Sequence, residues 1–192
     1  MDCQIDPRLP LLWSLDFNVD PLCSVIAQRT QDTLWVLDEI VLSPATTSEA
    51  CEEFIRRYGR HRAGVRVYGD ASGNNRHTSG DTDYGVVGNL LGNAFGRSFT
   101  DCVGNRNPAV SERILMVNSK LKSAAEEVSL YVSPKCANLI LDFEQVVYGE
   151  KSREINKTKD SRRTHLSDAL GYLVWEDFRP QMQIGEQSRR LF

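Results

Sequence analysis

Blocks of apolar residues alternate with polar, turn-forming segments along the chain and predict a mixed α/β protein. Residues 11–17 form an apolar run typical of a buried strand. Residues 22–28 and 34–42 predict two further strands, and the polar Thr30-Gln31-Asp32 between them favours an antiparallel hairpin. Residues 65–70 predict a fourth strand. Two shorter strands are expected at 99–103 and 128–132.

Apolar positions at helical spacing predict the remaining elements. The pattern from Thr46 to Glu49 is that of a capping box, which opens a first helix. Further helices are expected at 86–95, 108–122, 134–148 and 164–178, the last capped by Thr164. The helix at 108–122 should bury one stripe, formed by Val110, Ile114, Leu115, Val117 and Leu121.

The order of these elements restricts the topology. The first three strands can form an antiparallel meander, and a right-handed crossover can return the fourth strand beside the first in parallel. The expected fold class is therefore α/β, with a ribonuclease H-like mixed sheet of three antiparallel strands plus parallel strands, flanked by helices. We expect residues 1–10 to be a lead-in or linker, 11–180 the domain itself and 181–192 a C-terminal tail.

Three carboxylates lie at the ends of predicted elements that this topology would bring together. Asp16 ends the first strand and Asp70 ends the fourth, so parallel pairing would bring both to the C-terminal edge of the sheet, where open α/β sheets bind ligands. Asp168 lies in the first turn of the last helix. Carboxylates held together repel one another, and a divalent cation with oxygen ligands relieves that repulsion. The pattern predicts a metal-dependent phosphoryl-transfer site with Asp16, Asp70 and Asp168 as ligands.

His165 is a further candidate catalytic residue, because it lies three residues before Asp168 and therefore on the same helical face. It could orient a metal-bound water, ligate a metal or shuttle a proton. The alternative is an exposed histidine in the first turn with no chemical role.

Composition narrows the class of protein. The 192 residues carry a net charge of −3, which argues against a broadly basic surface that coats DNA. The five cysteines are widely spaced, so neither a zinc site nor a disulfide framework is indicated, and a reducing compartment is expected. The sequence has no apolar run as long as a membrane span and no signal peptide pattern at its start, so no membrane partner is expected.

Three motifs carry a resemblance to a known family. They are Leu-Asp-Phe-Asn-Val-Asp-Pro (15–21), Tyr-Gly-Asp-Ala-Ser-Gly (68–73) and Thr-His-Leu-Ser-Asp-Ala-Leu-Gly-Tyr (164–172), the last preceded by a Lys-rich segment. In this order they resemble the C-terminal nuclease domain of the terminase large subunit of tailed bacteriophages. The resemblance implies that Asp16, Asp70 and Asp168 bind one or two Mg²⁺ or Mn²⁺ ions. It also implies that the domain cleaves concatemeric viral DNA during packaging in the host cytoplasm.

The same resemblance implies partners. They are double-stranded DNA, an ATPase motor domain, a small terminase subunit and a portal. The sequence contains no G-x-x-x-x-G-K-[ST] motif, so the expected motor lies outside this chain. The basic segment before the last helix is expected to contact DNA phosphates, through Lys151, Arg153, Lys157, Lys159, Arg162 and Arg163. The alternative for such a charge run is a solvated loop.

Two other functions are compatible with the sequence pattern. One is a different ribonuclease H-like nuclease, of the junction resolvase or transposase type. The other is a non-catalytic module that docks DNA or packaging components, in which the acidic residues have a structural role.

Overall fold

The computed structural model describes residues 4–18, 20–76, 80–145 and 164–179. Its centre is a six-stranded mixed sheet with the strand order β5-β4-β1-β2-β3-β6. The strands are β1 (Leu11–Asp16), β2 (Leu22–Thr30), β3 (Thr33–Leu42), β4 (Val65–Gly69), β5 (Phe99–Asp101) and β6 (Leu130–Val132). Strands β1, β2 and β3 form the predicted antiparallel meander, while β4 pairs with β1 in parallel. The predicted fold class is confirmed.

Five α-helices are described around the sheet. They are α1 (Thr47–Tyr58), α2 (Asp83–Phe95), α3 (Val110–Leu121), α4 (Ala137–Gln145) and α5 (His165–Phe178). The predicted capping box of α1 is confirmed: the Glu49 N–H donates to Thr46 Oγ1 at 3.3 Å, and the Thr46 N–H donates to Glu49 Oε2 at 2.7 Å. None of the described helices has the length and apolar content that crossing a membrane requires.

Strand β1 is buried on both faces, which explains its nearly continuous apolar sequence. On one face Trp13 belongs to the core formed with α1 and α2, where its ring stacks on Phe54 with centroids 4.3 Å apart. On the other face Leu12 packs in the core that includes α5. There the Ser14 hydroxyl donates to the Ala169 carbonyl at 2.6 Å. Successive β1 residues therefore alternate between the two cores, and Asp16 falls on the α5 side.

The predicted buried stripe of α3 is wrong in part. Val117 is buried, but Val110 is 46% exposed and Leu115 is 71% exposed. The helix instead turns Arg113 inward, where this side chain forms an ion pair with α5. A buried guanidinium requires its partner more strictly than an aliphatic side chain requires burial, so the ion pair determines the rotation of α3.

The segment before β1, which the structure describes from Gln4 onward, is hydrogen-bonded to the sheet. The buried Gln28 amide donates to the Asp6 carbonyl at 2.8 Å and to the Leu9 carbonyl at 2.9 Å, and its oxygen accepts from the Asp6 N–H at 2.8 Å. The described part of the predicted lead-in therefore packs against β2. The predicted tail at 181–192 lies outside the described residues.

Candidate acidic active site

The parallel pairing of β1 with β4 places Asp16 and Asp70 at the same edge of the sheet. The register joins Leu15 to Gly69, and the Asp70 N–H donates to the Leu15 carbonyl at 3.1 Å. Side chains alternate along β1, so Asp16 follows Ser14 on the face that packs against α5, while Asp70 directly follows β4 at the same edge of the sheet.

Gly69 permits this close pairing. Its φ is +146°, a backbone conformation that L side chains rarely adopt, and an added Cβ would lie 2.2 Å from the Leu15 carbonyl oxygen. The glycine before Asp70 is therefore required by the contact between the two strands that carry the site.

Asp168 joins the same region because α5 crosses β1. The Ser14 hydroxyl bonds the carbonyl of Ala169, the residue after Asp168. Burial raises the pKa of the Asp16 carboxyl, the hydrogen bond with His165 opposes this shift, and the nearby negative charges of Asp168 and Asp70 raise the pKa further. The structure thus brings the three predicted ligands close enough to interact electrostatically.

His165 contacts Asp16 directly. Its Nδ1 lies 2.9 Å from Asp16 Oδ2, and the Asn18 amide donates to the same oxygen at 2.8 Å. The Asn18 amide nitrogen also lies 3.0 Å from His165 Nδ1, so this ring nitrogen contacts both the Asp16 carboxyl and the Asn18 amide. The His165 side chain is 14% exposed, which excludes the alternative of a solvated histidine.

Asp70 is held by a residue whose role the sequence analysis missed. The Asn107 amide donates to Asp70 Oδ1 at 2.6 Å, and the Ser72 N–H donates to the same oxygen at 2.7 Å. The Asn107 side-chain oxygen in turn accepts from the Ala71 N–H at 2.8 Å. Asn107 therefore ties the turn after β4 to the segment before α3.

Asp168 is held by Arg113, which the sequence analysis also missed. Arg113 Nη2 lies 3.2 Å from Asp168 Oδ1, and Nη1 donates to the Asp168 carbonyl at 3.2 Å. The guanidinium carbon lies 4.0 Å from the centre of the Tyr172 ring. In the sequence Arg113 stands one helical turn before Val117, and these are the two residues that α3 buries.

The prediction that Thr164 caps α5 is wrong. Thr164 has φ +101°, its side chain makes no capping hydrogen bond, and its buried Oγ1 has no hydrogen-bond partner among the described residues. A capping residue needs an extended backbone, which this left-handed conformation does not provide. The cap is supplied instead by Asp142 of α4, whose carboxylate accepts hydrogen bonds from the backbone of Ser167, Thr164 and Leu166.

Asp16, Asp70 and Asp168 offer the oxygen ligands that a divalent cation requires, although they do not form a preformed metal cluster. Within the described ranges, no three His, Cys, Asp or Glu side chains are grouped closely enough to hold an ion as they stand. The carboxylates are nevertheless hard oxygen donors of the kind that Mg²⁺ and Mn²⁺ prefer. A bound cation would offset the burial and the neighbouring charges that raise the pKa of the Asp16 carboxyl. The residues therefore fit such an ion, and Asp16, Asp70 and Asp168 remain its predicted ligands.

The basic residues predicted to bind DNA cannot be placed relative to this site. Lys151, Arg153, Lys157, Lys159, Arg162 and Arg163 all lie in 146–163, outside the described residues. Their role stays a prediction.

The mixed sheet, with Asp16 and Asp70 at the ends of neighbouring parallel strands, has a fold that is also found in solved structures. No protein-family model and no curated protein matches the chain. The large terminase of the thermophilic bacteriophage D6E, solved with ATP-gamma-S, is 16% identical with a TM-score of 0.60, over 90% of this chain and 41% of that chain. The chain therefore spans less than half the length of that terminase.

Isolated nuclease domains match over most of both chains. The nuclease domain of the large terminase g2p from bacteriophage SPP1, solved with bound Mn, is 16% identical with a TM-score of 0.55 and matches over 88% of each chain. The nuclease domain of the P22 large terminase is 15% identical with a TM-score of 0.59, over 88% of this chain and 82% of that one. This chain has the fold of large-terminase nuclease domains.

Proposed function

We propose that this chain is a divalent-metal-dependent endodeoxyribonuclease, the nuclease part of a terminase large subunit that cleaves concatemeric viral DNA during packaging. One observation carries the proposal: adjacent parallel strands place Asp16 and Asp70 at one edge of the sheet, where α5 brings Asp168 near enough for its charge to raise the pKa of Asp16. The bound Mn in the SPP1 nuclease domain, which shares the fold, supports the same chemistry here.

The three aspartates would hold Mg²⁺ or Mn²⁺, and other side chains of the chain hold the aspartates. When bound, the ion supplies Lewis acidity that lowers the pKa of an attacking water and stabilises charge on the leaving 3′ oxygen. Asn18 and His165 orient Asp16, and Asn107 orients Asp70. The His165 imidazole, in contact with Asp16, would take up or release a proton at the site.

Plasmid cleavage tests the proposal. The full chain should nick and linearise plasmid in Mn²⁺ or Mg²⁺ and should stop in EDTA, while Asp16→Asn should lose cleavage because it removes the most central carboxylate. Asp101→Asn is the matched control, since Asp101 ends the neighbouring parallel strand β5 but its side chain accepts from the Val103 N–H at 2.9 Å. Cleavage in EDTA, or an Asp16→Asn protein as active as the Asp101→Asn control, would contradict the assignment.

The substrate and partners belong to the same proposal. Double-stranded DNA is the substrate, and an ATPase motor, a small terminase subunit and a portal are the partners, acting in the cytoplasm of an infected host. The fold shared with a much longer large terminase supports a motor domain as a partner. A strong preference for branched DNA over linear duplex would favour a resolvase instead.

A further inference from the structure

The first turn of α5 carries both His165 and Asp168, yet its own N-terminal residue does not cap it. Thr164 has φ +101°, which is an outlier for a β-branched residue, and its side chain makes no capping hydrogen bond. The first N–H groups of a helix need acceptors when they are removed from water. An acceptor must therefore come from another element.

Asp142 of α4 supplies that acceptor. The residue is only 5% exposed, its Oδ2 accepts from the Ser167 N–H at 3.2 Å, and the backbone N–H groups of Thr164 and Leu166 also donate to its carboxylate. These N–H groups flank His165 and immediately precede Asp168. A negative charge at this end of the helix also complements the helix dipole.

We propose, on the basis of the proposed nuclease function, that Asp142 is a positioning residue that fixes the first turn of α5 and thereby sets Asp168 and His165 against Asp16. Asp142 contacts the backbone at the start of α5. It therefore acts through α5. Arg113 restrains Asp168 from the α3 side, so the first turn is held from two elements.

The test measures Mn²⁺ binding by isothermal titration calorimetry and amide hydrogen exchange in the full chain. Asp142→Asn keeps one acceptor oxygen and the side-chain volume, and Asp142→Ala removes both oxygens. Glu49→Ala is the control, because Glu49 is also a carboxylate that caps a helix, but it caps α1 on the opposite face of the sheet. Circular dichroism at the assay temperature selects the variants that are folded, and Asp142→Asn decides the question if Asp142→Ala does not fold.

Loss of the cap should raise the exchange rate of the Leu166 and Ser167 amides about tenfold, the usual effect of a capping side chain expressed as a ratio. The Mn²⁺ affinity should fall about tenfold or more, as it does when residues that orient metal ligands are removed. Cleavage by Asp142→Asn should recover at higher Mn²⁺ concentration, because its ligands are misplaced rather than absent. Glu49→Ala should change neither the Mn²⁺ affinity nor exchange in α5.

Two contrary results have different meanings. Wild-type affinity for Mn²⁺ in a folded Asp142→Asn protein, or unchanged exchange at Leu166 and Ser167, would overturn the positioning role and leave the nuclease proposal intact. Absence of Mn²⁺ binding by the wild-type chain would overturn the proposed function itself.

Discussion

Replacement of Arg113 by Met should destabilise the fold strongly, because it removes the guanidinium that pairs with the largely buried Asp168 carboxylate. The Arg113 side chain is 6% exposed and that of Asp168 is 14% exposed, so the pair is largely removed from water. Breaking a buried ion pair by removing one partner costs about 3–5 kcal/mol. Asp168 keeps some contact with water, which places the expected loss near the lower end, about 3 kcal/mol. Met fills much of the volume of the arginine stem, so the loss reports the charge more than a cavity.

Urea unfolding of single and double variants measures this loss. Arg113→Met combined with Asp168→Asn should recover a large part of the stability lost in Arg113→Met, since the second change removes the uncompensated charge. Lys120→Met is the control on the same helix: the Lys120 ammonium lies 4.0 Å from the centre of the Phe178 ring, and such a contact contributes about 0.5–1 kcal/mol. The two variants therefore remove similar ring contacts, but only one removes the ion pair.

The reasoning is refuted by either of two results. A loss below about 1 kcal/mol in Arg113→Met, similar to that in Lys120→Met, would mean that Asp168 does not depend on the guanidinium. No recovery in the double variant would mean that the loss came from packing on Tyr172 and not from the charge.

Other substitutions test the fold and its pH dependence. Gly69→Ala should lower the free energy of unfolding by more than about 2 kcal/mol because of its positive φ and the clash with β1, whereas Gly88→Ala, with open space around the added Cβ, should raise it by about 0.5–1 kcal/mol in urea titrations. Leu139→Ala in α4, at a fully buried site, should cost about 3 kcal/mol and Leu115→Ala in α3, at a site 71% exposed, less than about 0.5 kcal/mol; a cost at Leu115 as large as that at Leu139 would contradict the observed rotation of α3. Hydrogen bonds from neighbouring arginines lower the pKa of Glu53 from 4.5 to about 2, so its stabilisation is present above pH 4.5 and is lost as the pH falls towards 2. Thermal melts of Glu53→Gln across that window should show a flatter acid dependence than wild type, and an unchanged slope would contradict the shift.

The strands that carry the site were predictable from local sequence. The run ending at Asp16 is apolar because β1 is buried, and the run before Asp70 is apolar and buried except at the exposed Arg66. A carboxylate at the end of such a run marks the edge of the sheet. Because crossover connections are right-handed, few arrangements of the strands are possible, and one of them places β4 beside β1 in parallel. The pairing of β1 with β4 follows from these two constraints.

The side chains that hold the carboxylates were not predictable, because their contacts join distant parts of the chain. Thr164 has the residue type of a cap, but Asp142 makes the hydrogen bonds instead. Arg113 looks like a surface residue in a helix whose apolar positions alone suggest a different rotation. In each case a tertiary contact to α5 outweighs a local preference, and a pattern within one helix contains no information about its partner.

The three carboxylates are held by different partners, and most of these partners orient a carboxylate without neutralising its charge. Neutral donors, Asn18 on Asp16 and Asn107 on Asp70, direct oxygens without cancelling their charge. Only Asp168 has a guanidinium partner in the described part of the site, and the pKa of Asp16 is still raised by its acidic neighbours. The remaining negative charge would attract a cation, while the amides and the ion pair limit how far each ligand can turn. Asn107→Ala should therefore weaken Mn²⁺ binding through orientation alone, since it leaves the net charge of the site unchanged, and the loss should be insensitive to ionic strength.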